Sequence, residues 1–134
     1  MSDLTNYAEG QFMDWSFLGE AMPTAPDPVY VALHTADPTN AGTEGEVSAG
    51  DYSRQSVATT DWSKSGSGPT TIENDAEVSF GVATSSWGTI THFSIWDAET
   101  AGNPLWSAAV TEAKEITEDD EARFPIGSLT AEIN

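Results

Sequence analysis

The 134-residue chain contains no cysteine. Neither a disulfide framework nor a thiolate metal site can form, and folding does not depend on a redox compartment. Basic residues are almost as scarce. Arg54, Lys64, Lys114 and Arg123 stand against 22 Asp and Glu, for a net charge of −18. A surface this poor in Lys and Arg cannot neutralise phosphates, which excludes direct DNA or RNA binding. No apolar run reaches the roughly 18 residues of a membrane span. The N-terminal stretch MSDLTNYAEG lacks the basic and apolar regions of a secretory signal, so synthesis in the cytoplasm without a signal peptide is expected.

Large apolar residues, by contrast, are present throughout. Apolar residues make up 38% of the chain and aromatics 10%, enough for one domain with a real core and not comfortably two. The acids are scattered singly rather than gathered in a tail. Such self-repulsion destabilises a compact state in dilute buffer. It is tolerable where the Debye length falls to about 3 Å, as at 1 M salt. The preferred reading is halophilic adaptation. A calcium-binding acidic module and an acidic mimic or partner-binder are its rivals.

Leu4, Tyr7, Ala8, Phe12, Trp15 and Leu18 recur at helical spacing and predict a helix over 4–18, weakened at Gly10. Its wide aromatic face would dock on the domain's own sheet or on a neighbouring subunit. PTAPDP then ends the helix as a stiff linker. The remaining segments read as short strands: PVYVALHTA (28–36), YSRQSVAT (52–59), TIEN (71–74), AEVSFGVA (76–83), GTITHFSIWDA (88–98), NPLWSAAV (103–110), KEIT (114–117), EARFPI (121–126) and SLTAEIN (128–134). Between them lie a long acidic, Gly-rich loop over 37–51 and a flexible tip over 63–70. Strands at this spacing predict a mostly β fold, an antiparallel β-sandwich of jelly-roll or Ig-like type with one N-terminal helix. The helix and linker occupy 1–27 and the sandwich 28–134. In GTITHFSIW, alternation places Ile90, His92, Ser94 and Trp96 on one face and Thr91, Phe93 and Ile95 on the other. Both faces are apolar, so the strand is central and covered on both sides, by a second sheet and by the helix or a neighbour.

Chemistry is weakly represented. His34 and His92 sit mid-strand and would pair across sheets, but no H-x-H or H-E-x-x-H spacing supports a metal, and satisfied structural histidines are the expected state. Glu118, Asp119, Asp120 and Glu121, and separately Glu44, Glu46 and Asp51, crowd loops without the D-x-[DN]-x-[DN]-G calcium pattern. Non-specific or loop-bound cations are the most these acids suggest. A carboxylate pair for glycoside hydrolysis stays open only because acids are so numerous. Neither a G-x-S-x-G elbow, a P-loop nor a dinucleotide fingerprint occurs. No catalytic, cofactor-binding or metal residue is expected, and the chain is not expected to be an enzyme. Trp62 and Trp87 lie near loops and are the candidates for an exposed contact with a glycan or subunit.

Taken in order, NYAEGQFMDW, PVYVALHTADPT, GTEGEVSAGDYSRQ, NDAEVSFGVATSSWGTITHFSIWDA, GNPLWSAAV and GSLTAEI cover nearly the whole chain. This order resembles small virion structural proteins, of tail-fibre or head–tail type, from tailed phages and related archaeal viruses. The resemblance implies a β-sandwich that assembles in several copies on the virion, with itself and other virion proteins as partners. The loss of basic residues implies the virus of a haloarchaeon. The expected function is therefore that of a structural virion protein forming a homo-oligomer on the particle exterior, as capsid turret, decoration or tail component. Tyr7, Phe12, Trp15 and Leu18 are its expected assembly interface. The alternative is a glycan-binding host-adsorption module using exposed tryptophans.

Overall fold

Alternating β-branched and aromatic residues make VYVALH and GTITHFSIW the strongest strand formers in the chain, and they lie side by side. The computed structural model describes residues 3–133. Its elements are β1 (Asp3–Leu4), α1 (Asn6–Phe17), β2 (Val29–His34), β3 (Gln55–Val57), β4 (Trp62–Gly66), β5 (Thr70–Asn74), β6 (Val78–Val82), β7 (Gly88–Trp96), β8 (Pro104–Ile116), β9 (Glu121–Phe124) and β10 (Thr130–Ile133). Pairing is antiparallel throughout, in a five-stranded sheet β1-β8-β7-β2-β3 and two smaller ones, β10-β5-β4 and β6-β9.

Register fixes what the large sheet shows to each side. Val31 pairs with Ile95, Leu33 with Phe93, and Phe93 with Ala108. These residues share one core cluster with Val78 and Phe80 of β6, Phe124 of β9 and Leu129. The smaller sheets therefore close over this face, and the fold is the expected mostly β sandwich of antiparallel sheets with one helix. The other face carries Ala32, His34, Ser94, Trp96 and Ser107, all buried as well. β7 is thus central and covered on both sides. The second cover is not α1, none of whose residues is buried. It is the loop 37–51 together with Arg54.

Four local expectations change. The strands expected at 103–110 and 114–117 are one 13-residue strand, β8; the exposed Thr111, Glu112 and Ala113 between them do not break it. The β7–β8 register moves from Ile90↔Lys114 to His92↔Ala109. That bulge interrupts simple alternation and returns Ile90 to the core beside Phe93. The tip expected at 63–70 begins as a strand, β4, paired with β5. Its Ser63, Lys64 and Ser65 are exposed at a sheet edge, so no apolar alternation marks it. The turn itself is tighter: Gly66 adopts a φ of +81°, and a Cβ there would run into the Pro69 carbonyl oxygen. Finally, His34 and His92 do not face each other across sheets; they are register partners on β2 and β7 of the same sheet.

Candidate functional site

Two regions concentrate unusual side chains. The first is a polar network on the loop-covered face of the large sheet. His34 Nδ1 lies 2.7 Å from the Glu44 carbonyl oxygen, and its Nε2 lies 2.7 Å from Ser94 Oγ. A carbonyl only accepts, so Nδ1 carries the proton and Nε2 accepts from the Ser94 hydroxyl. The same hydroxyl oxygen accepts from Trp96 Nε1 at 2.7 Å. Over the Trp96 ring, 3.5 Å from its centroid, sits the Arg54 guanidinium. Arg54 donates from Nε and Nη2 to the two carboxylate oxygens of Glu46, at 2.9 and 3.0 Å, and from Nη1 to the carbonyls of Ala98 and Ala101. Tyr52 completes the chain: its hydroxyl donates to Glu46 Oε2 and accepts from the Leu33 amide.

Electrostatics follow from this geometry. Burial lowers the His34 pKa, outweighing the Glu44 carbonyl and the Glu46 charge. Burial acts on Glu46 in the opposite sense, but the bonds from Arg54 and Tyr52 prevail and hold its carboxyl below the usual range. Burial, with the Glu46 charge, raises the Tyr52 hydroxyl. His34 and Ser94 are both fully buried, so a hydrogen-bonded Ser–His pair exists here with no approach for a substrate. Asp51 acts similarly nearby, accepting from the Thr84 amide at 2.6 Å and from Trp87 Nε1 at 3.1 Å. Those bonds lower its pKa. In the second acidic run, Asp120 accepts from the amide and hydroxyl of Thr117. Glu46, Asp51 and Asp120, three of the acids crowding these loops, thus close turns and hold strands.

Trp87 is not an exposed contact. It is 5% exposed, stands edge-on to Tyr52 and Phe80, and has Asp51 for its indole N–H. Its neighbours TSS and G suggest a loop; the distant carboxylate that draws it inward is invisible in the local pattern. Trp62 is half-buried, and its Nε1 is sealed from solvent without a hydrogen-bond partner.

The second region is α1. Thr5 caps it, accepting from the Ala8 amide, while its own hydroxyl donates to the Pro104 carbonyl. Asn6 is tied to Asn40 through the backbone. The N-terminal end is therefore anchored, and Tyr7 and Ala8 are half-buried. The C-terminal half is not anchored. Phe12, Met13, Trp15, Phe17 and Leu18 are 49, 54, 53, 76 and 71% exposed. Spaced at 100° per residue, these five ring the whole helix. The expected face of Tyr7, Phe12, Trp15 and Leu18 is thus supplemented by Met13 and Phe17, which lie outside its spacing. A helix that is apolar all round belongs in an interior, and this chain provides none for it.

Two apolar clefts lie close by. One, of about 370 Å³, runs beneath the anchored half of α1 and the 22–26 segment, against Leu105 and Trp106. The other, of about 340 Å³, opens between the sheets and is lined by Val29, Trp62, Ile72, Phe93, Ile95 and Trp106, among others. Pro26, Leu105 and Trp106 line both. Among the described residues no helix is long and apolar enough to cross a membrane.

No curated protein matches the chain. Residues 3–132 match the family described as Podophage GP4 fiber I protein gp80. That family is one of phage fibre structural proteins and not an enzyme class, and the chain, matched over nearly its whole length, belongs to it.

Proposed function

We propose that the chain is a structural component of the particle exterior of a halophilic tailed virus, assembling there as a homo-oligomer in a capsid turret, a decoration or the tail. The observation that carries this is the C-terminal half of α1. Contiguous exposed aromatic surface of this kind is what a monomeric soluble protein avoids, and a repeating particle supplies the second copy that covers it. Membership of a fibre-protein family agrees with that role. The halophilic part rests on charge. No described Asp or Glu is buried, so the net charge of −18 sits at the surface, where molar salt screens it. Other virion proteins or a host glycan would meet the assembled form rather than the isolated chain.

Gold-labelled antibody imaging of purified particles in high salt tests the proposal. Label on the head or on the tail is the expected result and separates the two locations. Particles without label, and without peptides of this chain by mass spectrometry, would overturn it.

A further inference from the structure

We infer that the paired clefts are the receptor for α1 of a second copy, in a head-to-tail contact that seats Trp15, Phe17 and Leu18 of one copy against Trp62, Ile72 and Trp106 of the next. The inference rests on the self-assembly reading above and names the surfaces it would use.

The chain presents a convex apolar element and a concave one, both uncovered. Trp15, Phe17 and Leu18 line neither cleft of their own chain. Of α1, Tyr7, Ala8, Gln11 and Phe12 contribute to a wall. The projecting half therefore points its largest side chains away from the surface that would best fit them.

Charge selects the occupant. At −18 per chain, two copies can meet only where carboxylates are missing. The cleft between the sheets has no ionisable side chain in its lining. The cleft beneath α1 has Asp97 alone among acids, and that carboxylate is already bonded to the amide and side chain of Asn103. In the stretch 12–18, Asp14 is the sole charge. A basic partner would be recognised by acids, and these walls offer only Asp97, already engaged by Asn103. A second copy of this chain needs the reverse, and finds it here.

Pairing of α1 with α1, the symmetric alternative, would cover the helix but leave both clefts open. A head-to-tail contact closes into a ring where its rotation permits.

Because the chain has no cysteine, introduced thiols report without background. Phe17→Cys and Ile72→Cys alter positions that are 76 and 38% exposed and leave the core intact. The two single variants are mixed in molar salt and treated with a short bismaleimide, with light scattering run in parallel. The expected product is a covalent species of twice the 14.2 kDa chain mass, formed in the mixture, absent from Ile72→Cys alone and lost when salt is withdrawn. Oligomers in which Phe17→Cys links only to itself would overturn the inference while leaving self-assembly standing. An intrachain link in the Phe17→Cys/Ile72→Cys double variant, with the protein monomeric, would show α1 folding onto its own cleft and would overturn it too. A natural chain that is itself monomeric in molar salt, with no link formed in the mixture, would overturn both the inference and the assembly reading.

Discussion

The loop 37–51 and helix α1 invert what their compositions suggest. The loop is acidic and glycine-rich, the kind of segment that lies on a surface, yet it seals one face of the main sheet. The helix is aromatic, the kind of segment that forms a core, yet its C-terminal half covers nothing in its own chain. The difference lies in completion of hydrogen bonds. Glu44 offers a carbonyl to His34, Glu46 offers a carboxylate to Arg54 and Tyr52, and Asp51 caps Thr84 and Trp87. These bonds of the loop are all answered within the chain. The apolar surface of α1 has no such answer, and the buried N–H of Trp62 has none either. One region is finished by folding; the other, on the proposed reading, is finished by assembly.

That comparison breaks most severely at Arg54. Its side chain is 9% exposed and that of its partner Glu46 22%. Arg54→Leu leaves the carboxylate with Tyr52 alone, and loss of charge-assisted hydrogen bonds in a partly buried pair costs about 1.5–3 kcal/mol. Denaturant unfolding in molar salt should show that loss; an unchanged midpoint would remove the network from its role. Salt withdrawal comes next. Lowering ionic strength from 1 M to 0.01 M lengthens the Debye length from about 3 to about 30 Å, and the melting temperature should fall. A protein indifferent to dialysis would contradict the halophilic reading.

A smaller effect separates His34 from the carboxylates. Its folded pKa lies below the ordinary value of 6.5, so the unfolded chain binds the extra proton first as pH falls. His34 thus contributes stability that is full above about pH 6.5 and declines as pH drops below it, by at most about 1.4 kcal/mol per pH unit for one proton. Glu46, whose pKa is lowered, adds its own loss only in the carboxylate range. Stability measured from pH 7.5 to 5.5 should therefore slope downward in the natural chain and flatten in His34→Asn. Equal slopes would assign the pH response elsewhere. Smallest of all for folding are substitutions on α1. Phe12→Ser and Trp15→Ser alter exposed positions and should move monomer stability by less than about 0.5 kcal/mol.

Much of this was legible in the residues. VYVALH and GTITHFSIW alternate strongly enough to declare strands, and two apolar faces in the second marked it as central. The helix and its apolar side chains followed from spacing. What escaped depends on partners distant in sequence. β1 has two residues and exists only through its pairing with Trp106 and Ser107 of β8. β4 is an exposed edge whose serines and lysine carry no pattern. Ile90 changes side through a bulge that alternation cannot reveal. Trp87 is drawn inside by Asp51, 36 positions away. Likewise, nothing local says that Arg54 would lie on Trp96. The bare half of α1 was legible as apolar but not as uncovered, because coverage is a property of the whole fold.

Multi-angle light scattering in molar salt tests the central claim most directly, comparing the natural chain with Phe12→Ser/Trp15→Ser. A defined oligomer is expected from the first and a folded monomer from the second. A natural chain that remains monomeric at high protein and salt concentration, or a double variant that assembles as well as its parent, would contradict it.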